Sequence, residues 1–245
     1  MRETNLGNNG NNIPNTLLPK KLRALLFDFD GLILDTEYPY YASWSEVYAD
    51  FGLPPLALDD WAALIGRGFA VLARTPYEEI EAHMGRPVDH DLIRTQRRAA
   101  FDRLMAHETA LPGVETLISD AKRHGLLLGI ASSSPRAWVI GYLERLGLYD
   151  SFDAIRCGDE VEHSKPAPDV YLALLSALGI DAKEAVALED SANGVAAAKA
   201  AGLFCVVVPN RVTRHIRPDT ADLHTESLES VAVAHLMKAL ERGFV

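Results

Sequence analysis

Cysteine is scarce in this chain. Cys157 and Cys205 are the only two, both in apolar surroundings and without CxxC spacing. That excludes a disulfide scaffold or a thiolate metal knuckle and leaves two buried thiols as the expectation. Basic residues are outnumbered, 24 Lys and Arg against 34 Asp and Glu, for a formal net charge of -10. A groove that neutralises nucleic-acid phosphates needs clustered Lys and Arg, so no nucleic-acid partner is expected. No apolar run is long enough to span a bilayer and no early stretch has signal-peptide character, so the expected setting is the cytoplasm, with no membrane partner. The GxGxxG loop of dinucleotide binders and the P-loop pattern are both missing. Residues 1–20 are Asn-rich without an apolar stretch and read as a disordered tail.

What is present suffices for a large core: 245 residues, 48% of them hydrophobic. Leu22–Phe29 is apolar without polar alternation, the pattern of a strand buried on both faces. Similar runs follow at Leu126–Ala131, Ala185–Leu188 and Leu203–Val208, with a weaker one at Ala154–Arg156. Helical patterns alternate with them over Val114–His124, Pro135–Leu146, Asp169–Leu178, Asn193–Ala201 and Ser230–Glu241. Ser134 is placed to cap the second of these, with Pro135 at its first position. This alternation predicts an α/β fold, a doubly wound parallel sheet of Rossmann-like type. One block breaks it. Between residues 38 and 108 the patterns are helical only, over Tyr38–Phe51, Leu58–Ile65, Thr75–Met84 and Val88–His107. The expectation is a core of residues 21–37 and 109–245 with an inserted all-helical domain, residues 38–108, hinged near Thr36–Tyr38 and Thr109–Gly113.

In an open α/β sheet, ligands bind at the carboxyl ends of the strands. Those ends carry Asp28, Asp30 and Gly31 after the first run, Ser132, Ser133 and Ser134 after the second, and Glu189, Asp190 and Ser191 after the third. Lys165 lies on the loop after the weaker run. Singly, each has an ordinary structural explanation: a DxD or Glu189-Asp190 as caps, Ser134 as an N-cap, a Lys before Pro as surface. Jointly, all fall at the same end of their strands. Asp28 and Asp190 would repel unless a hard divalent cation such as Mg²⁺ joined them. A negatively charged protein that takes a phosphate ester also needs a local positive charge in its pocket. Lys165 supplies one, while Ser132, the backbone N–H groups from Ser133 onward and the start of the Pro135 helix form a cradle for phosphate oxygens. Asp30 is placed to protonate a leaving alcohol and deprotonate water.

Phe27-Asp28-Phe29-Asp30-Gly31, Ala131-Ser132-Ser133, Ser164-Lys165-Pro166-Ala167-Pro168-Asp169 and Leu188-Glu189-Asp190-Ser191 resemble, in order, the four motifs of the haloacid-dehalogenase superfamily. The helical block resembles that family's cap. Asp35-Thr36 and Trp44 resemble the branch of β-phosphoglucomutase and small sugar-phosphate phosphatases. The resemblance runs from about Leu22 to the last helix. It implies Asp28 as nucleophile, Asp30 as acid and base, and Ser132, Ser133 and Lys165 as phosphate ligands. It also implies Mg²⁺ held by Asp28, the Asp30 carbonyl and Asp190, with Glu189 in support. The implied activity is hydrolysis of a small phosphate ester, with a monomer as the simplest assembly.

Three rivals stand beside it. A mutase of the same branch needs cationic cap residues to grip a second phosphate; Tyr40, Ile65 and Phe69 occupy the apparent positions, leaving Arg67 as the nearby cation. A haloacid dehalogenase needs neither magnesium nor a second Asp, against Asp30 and Asp190. A phospho-receiver is shorter and carries no helical insert. Tyr40, Tyr41, Arg67, Phe69 and Arg74 are the expected substrate-facing cap residues, with Tyr40 and Arg67 foremost.

Overall fold

A computed structural model describes residues 21–62, 74–214 and 217–241. The first strand, β1 (Ala24–Phe27), leads into four helices, α1 (Glu37–Asp50), α2 (Leu58–Ala62), α3 (Pro76–Met84) and α4 (His90–Met105). Strand and helix then alternate through α5 (Val114–Arg123), β2 (Leu127–Ala131), α6 (Arg136–Leu146), β3 (Ala154–Arg156), α7 (Asp169–Leu178), β4 (Ala185–Glu189), α8 (Ala192–Ala200), β5 (Phe204–Val207), β6 (Leu223–His224) and α9 (Val233–Glu241). The sheet order is β3-β2-β1-β4-β5-β6, with every pairing parallel. The doubly wound fold expected from the sequence is therefore present. No described helix is long and apolar enough to cross a membrane.

The strands lack polar alternation because both faces of the sheet are covered. Leu25 and Phe27, with Val186, Leu188 and Val206, enter one core cluster; Ala24 and Leu26, with Ala185, Ala187 and Cys205, enter the other. Successive side chains point to opposite faces, so both parities must be apolar. Both cysteines are free and buried, as expected. β6 has no apolar run, since its two residues are exposed, and the sequence pattern does not reveal it.

The four helices after β1 enclose their own apolar cluster of Trp44, Val47, Tyr48, Trp61, Ile80 and Ile93. Thr75 starts α3 with a reciprocal capping box to Glu78, a device worth about 1 kcal/mol. Asp89 caps α4 by accepting from the N–H groups of Asp91 and Leu92, both at 3.0 Å, so that helix begins at His90 and not at Val88. α2 is described only to Ala62; Ile65, Arg67 and Phe69 lie outside the described residues, as do residues 1–20. The chain leaves and re-enters the core side by side. Leu34 bridges Ala110 in antiparallel fashion, and Leu111 N–H donates to the Ile33 carbonyl at 2.9 Å. Arg145 of α6 secures the returning arm by donating to the carbonyls of Met105 (2.7 Å) and Glu108 (2.9 Å).

Gly113 ends that arm at φ +87°, and a Cβ there would overlap the backbone of Leu228 and Glu229. Gly113→Ala combines left-handed strain with a backbone clash. It is expected to destabilise the protein by about 2–4 kcal/mol. A lowered urea midpoint with an unchanged slope is the expected measurement; a midpoint equal to that of the parent protein would mean that the 228–229 turn yields freely.

Candidate active site

The sheet reverses direction of winding beside β1, which lies between β2 and β4, and the crevice at that switch point is where the acids meet. Asp28 directly follows β1, and its N–H continues the ladder to the Leu188 carbonyl at 3.0 Å. The Lys165 ammonium, carried in from the loop after β3, donates to Asp28 Oδ1 at 2.7 Å, to Glu189 Oε1 at 2.6 Å and to the Ala131 carbonyl at 2.8 Å. The Tyr171 hydroxyl of α7 donates to the same Glu189 oxygen at 2.6 Å. Asp190 accepts from the Asn210 amide at 2.7 Å, and that amide also reaches the Gly31 carbonyl at 3.0 Å. Gly31 sits at φ +80°, and any Cβ there would run into Asp190 and Asn210. The glycine of the DxDG sequence thus allows the first and last acidic loops to touch.

Burial pushes the Asp28 carboxyl up to about 8, with Lys165 pulling it down and Glu189 and Asp30 pushing it further up. Burial also raises Asp190 well above the usual range, helped by Asp28, Glu189 and Glu37. For Lys165 burial opposes the charge, but Asp28 and Glu189 outweigh it and hold the ammonium above its ordinary value. Asp28, Glu189 and Asp190 each offer an oxygen, all within 4.8 Å of one another. Three buried acids therefore stand beside one ammonium, which bonds two of them, and a hard cation fits the deficit. Glu189 Oε1 is already committed to Lys165 and Tyr171, whereas its Oε2 is buried without a hydrogen-bond partner. The support expected of Glu189 would therefore have to come through Oε2.

Asp30 also lines the cavity and is held by α6 and the turn before it. Ser134 Oγ donates to Asp30 Oδ2 at 2.7 Å, Ser132 Oγ to the same oxygen at 3.3 Å, and the Trp138 indole N–H to Oδ1 at 3.0 Å. This corrects the reading of Ser134 as a helix cap. Pro135 occupies the cap position, α6 begins at Arg136, and the Arg136 N–H is satisfied by Asp159 at 2.9 Å. Ser132 is buried and also accepts from the Ser134 N–H at 3.0 Å, while Ser133 faces the cavity. The sequence reading missed Trp138, although it follows Ser134 by one helical turn.

A cavity of about 660 Å³ opens over these groups; Asp28, Asp30, Ser133, Lys165 and Asp190 line its core side. From α1, α2 and α4 come Glu37, Tyr40, Trp61, Arg97, Arg98 and Phe101. Tyr40 was foreseen; the others were not. Burial raises Glu37 to about 7, with Asp30 and Asp35 adding to the effect. Two expected cap residues are placed elsewhere. The Tyr41 hydroxyl donates to the Leu56 carbonyl at 2.7 Å inside the insert, and Arg74 is exposed beside the α3 cap. Trp138 stacks on Phe101 at 5.9 Å and 22°, so the core's Asp30 clamp rests against the insert.

Residues 25–208 match the family model of haloacid dehalogenase-like hydrolases. YhcW of Bacillus subtilis (strain 168), named as a phosphatase, is 41% identical over 221 residues, 89% of this chain and 98% of the relative. Hexitol phosphatase B of Escherichia coli (strain K12) is 32% identical over 196 residues, 78% of this chain and 85% of the relative. The crystal structure of CbbY from Rhodobacter sphaeroides in complex with phosphate aligns with a TM-score of 0.66 at 31% identity, covering 88% of this chain and 99% of the other. With the acid-and-lysine crevice at its switch point, this chain belongs to the haloacid dehalogenase-like hydrolase family, as a phosphoric monoester hydrolase.

Proposed function

We propose that this enzyme hydrolyses a small phosphate monoester, a sugar phosphate, through a phospho-aspartate on Asp28 and with Mg²⁺ as its metal. The observation that carries the reading is the convergence of Asp28, Asp190 and Lys165 on one cavity, which Asp30 also lines. The hexitol phosphatase relative and the phosphate-bound neighbour support the substrate class. In this reading residues 38–108 act as a cap over a core of residues 21–37 and 109–245.

The Asp28 carboxylate attacks phosphorus; the P–O bond to the sugar breaks, and Asp30 gives its proton to the leaving alkoxide. Asp30 then takes a proton from water as that water attacks the phosphoryl group, and the Asp28–phosphorus bond breaks to release inorganic phosphate. To do so Asp30 exchanges one of its three donors for the leaving oxygen. Lys165, the Ser132 hydroxyl, the N–H groups following it and the N-terminus of α6 hold the phosphoryl oxygens. The Asp28 carboxylate, the Asp30 backbone carbonyl and Asp190 would hold Mg²⁺, with Glu189 Oε2 behind them. The chemistry a bound Mg²⁺ supplies is cancellation of the repulsion between a carboxylate and a phosphate dianion.

The case against a mutase changes with Arg97. Tyr40, Ile65 and Phe69 alone would leave the cap short of cations, but Arg97 and Arg98 line the cavity from α4. The preference for hydrolysis therefore rests on the phosphatase relatives and not on a missing cap charge.

Chelation with EDTA is expected to abolish phosphate release from a sugar-phosphate panel, and Mg²⁺ to restore it; full turnover of the chelated enzyme would sink the metal-assisted reading. Because Asp28 and Asp190 are raised by burial, the metal competes with protons for them. Mg²⁺ affinity should rise with pH through about 8, with proton release on binding, measured by calorimetry in buffers of different ionisation enthalpy. Affinity that is flat across that range would contradict a proton-sharing metal site.

The acids should separate by leaving group. Asp28→Asn is expected to lose turnover on every ester. Asp30→Asn should still form phospho-enzyme from an aryl phosphate, whose leaving group needs little protonation, and then release phosphate slowly. Trp138→Phe keeps the ring but loses the N–H to Asp30 and should lower alkyl-ester turnover roughly 10-fold more than aryl-ester turnover, for one lost charge-assisted hydrogen bond. Equal losses on both esters would leave Trp138 a packing residue only.

A further inference from the structure

α4 carries four arginines, and one of them differs from the rest. Arg94 pairs with Asp91 at 2.7 Å, Arg98 with Asp102 at 2.8 Å and Arg103 with Glu46 at 2.5 Å. Among the described residues no carboxylate pairs with Arg97. Its guanidinium carbon lies 4.7 Å from the Tyr40 ring centre, 5.9 Å from that of Trp44 and 6.0 Å from that of Phe101. Its Nη1 is buried with no hydrogen-bond partner. One edge sealed among aromatic rings prevents the group from swinging out to a surface acid. Its position in the cavity wall is therefore fixed.

The cavity's acids do not answer this charge: Glu37 also lines the cavity but makes no ion pair with Arg97 among the described residues, and the other acids have partners of their own. Asp28 is held by Lys165, Asp190 by Asn210, and Asp30 by Ser132, Ser134 and Trp138. The aromatic faces attract the cation, yet they accept few of its N–H donors, and a half-buried guanidinium without a counterion is left under-compensated. A substrate hydroxyl would satisfy one donor and leave the charge. An anion satisfies both and can do so in bidentate fashion.

We infer that Arg97 forms a second anion site and that the substrate is a phosphate ester bearing another anionic group, phosphate or carboxylate, remote from the transferred phosphoryl. This rests on the phosphatase reading above and narrows its substrate class. A cavity of about 660 Å³ is within the usual range for such a small ligand. Lys165 then serves the phosphoryl being transferred and Arg97 the group that stays on the product.

The test compares matched esters with and without a second anion: fructose 1,6-bisphosphate against fructose 1-phosphate, and 3-phosphoglycerate against glycerol 3-phosphate. At least one pair is expected to favour the second anion by about tenfold or more in kcat/KM, and which pair responds tells phosphate from carboxylate. Arg97→Met keeps the stem's packing and removes the charge. It should collapse that ratio towards unity, mainly through KM, while Arg97→Lys should recover part of it. Equal or better use of both neutral partners by the parent enzyme would overturn the inference. So would a preference that survives in Arg97→Met, or, should that variant fail to fold, one that is undiminished in Arg97→Lys. Failure to hydrolyse all four esters and p-nitrophenyl phosphate would instead overturn the phosphatase reading, and this one with it.

Discussion

The buried ammonium of Lys165 sets the terms for everything around it. It donates to two carboxylates and a carbonyl from three different segments of the chain. Removing one partner of such a group costs roughly 3–5 kcal/mol, because the other charge stays buried and unpaired. The loop after β3, the end of β1 and the end of β4 are therefore tied to one point. Tyr171 adds a further donor to Glu189 and fixes the oxygen that receives Lys165. One positive charge, however, does not balance three buried acids. The crevice is left short of positive charge beside Asp28 and Asp190, and that deficit is one a hard cation fits.

The parallel sheet makes this possible without opening the core. Both faces of its strands are apolar, so polar groups can enter only at strand ends, and the parallel direction puts all those ends on one edge. The pairing of β1 with β4 brings Asp28 and Asp190 together although 162 residues separate them, from 28 to 190. Gly31 then permits the two acidic loops to approach, and Asn210, from the loop after β5, spans them.

That logic also explains what could be read from the sequence. Buried strands are visible as unbroken apolar runs, and the residue that ends each run is positioned by the run itself. Asp28, Ser132, Glu189 and Asp190 were legible for this reason. Lys165 was legible less directly, from its loop after a weak three-residue strand and then from its motif. Partners across helices were not legible. Ser134 looked like a cap because its neighbours Pro135 and Arg136 begin a helix, yet Asp159 satisfies that helix from elsewhere in the chain and leaves the hydroxyl to Asp30. Arg97 sits in a helix with Arg94, Arg98 and Arg103, a pattern indistinguishable from a solvated face. Only the packing of α1 against α4, which brings Tyr40 and Trp44 under its guanidinium, sets it apart.

The helices between β1 and α5 touch the acid-bearing crevice at one defined contact. Asp30 belongs to the core, but one of its three donors is the Trp138 indole, and that indole stacks on Phe101 of the insert. Phe101 in turn packs edge-on to Tyr40 with ring centres 6.1 Å apart, and Tyr40 lies under Arg97. A continuous row of rings thus runs from the indole that holds Asp30 to Arg97 in the cavity lining. A shift of α4 relative to α6 would disturb the Phe101–Trp138 stack before it reached Asp28, whose partners all lie in the core. Asp28 is consequently insulated from movements of the insert while Asp30 is not. Under the proposed roles of these two acids, that asymmetry would couple the insert to the proton transfers at Asp30 and leave the phosphoryl acceptor Asp28 fixed.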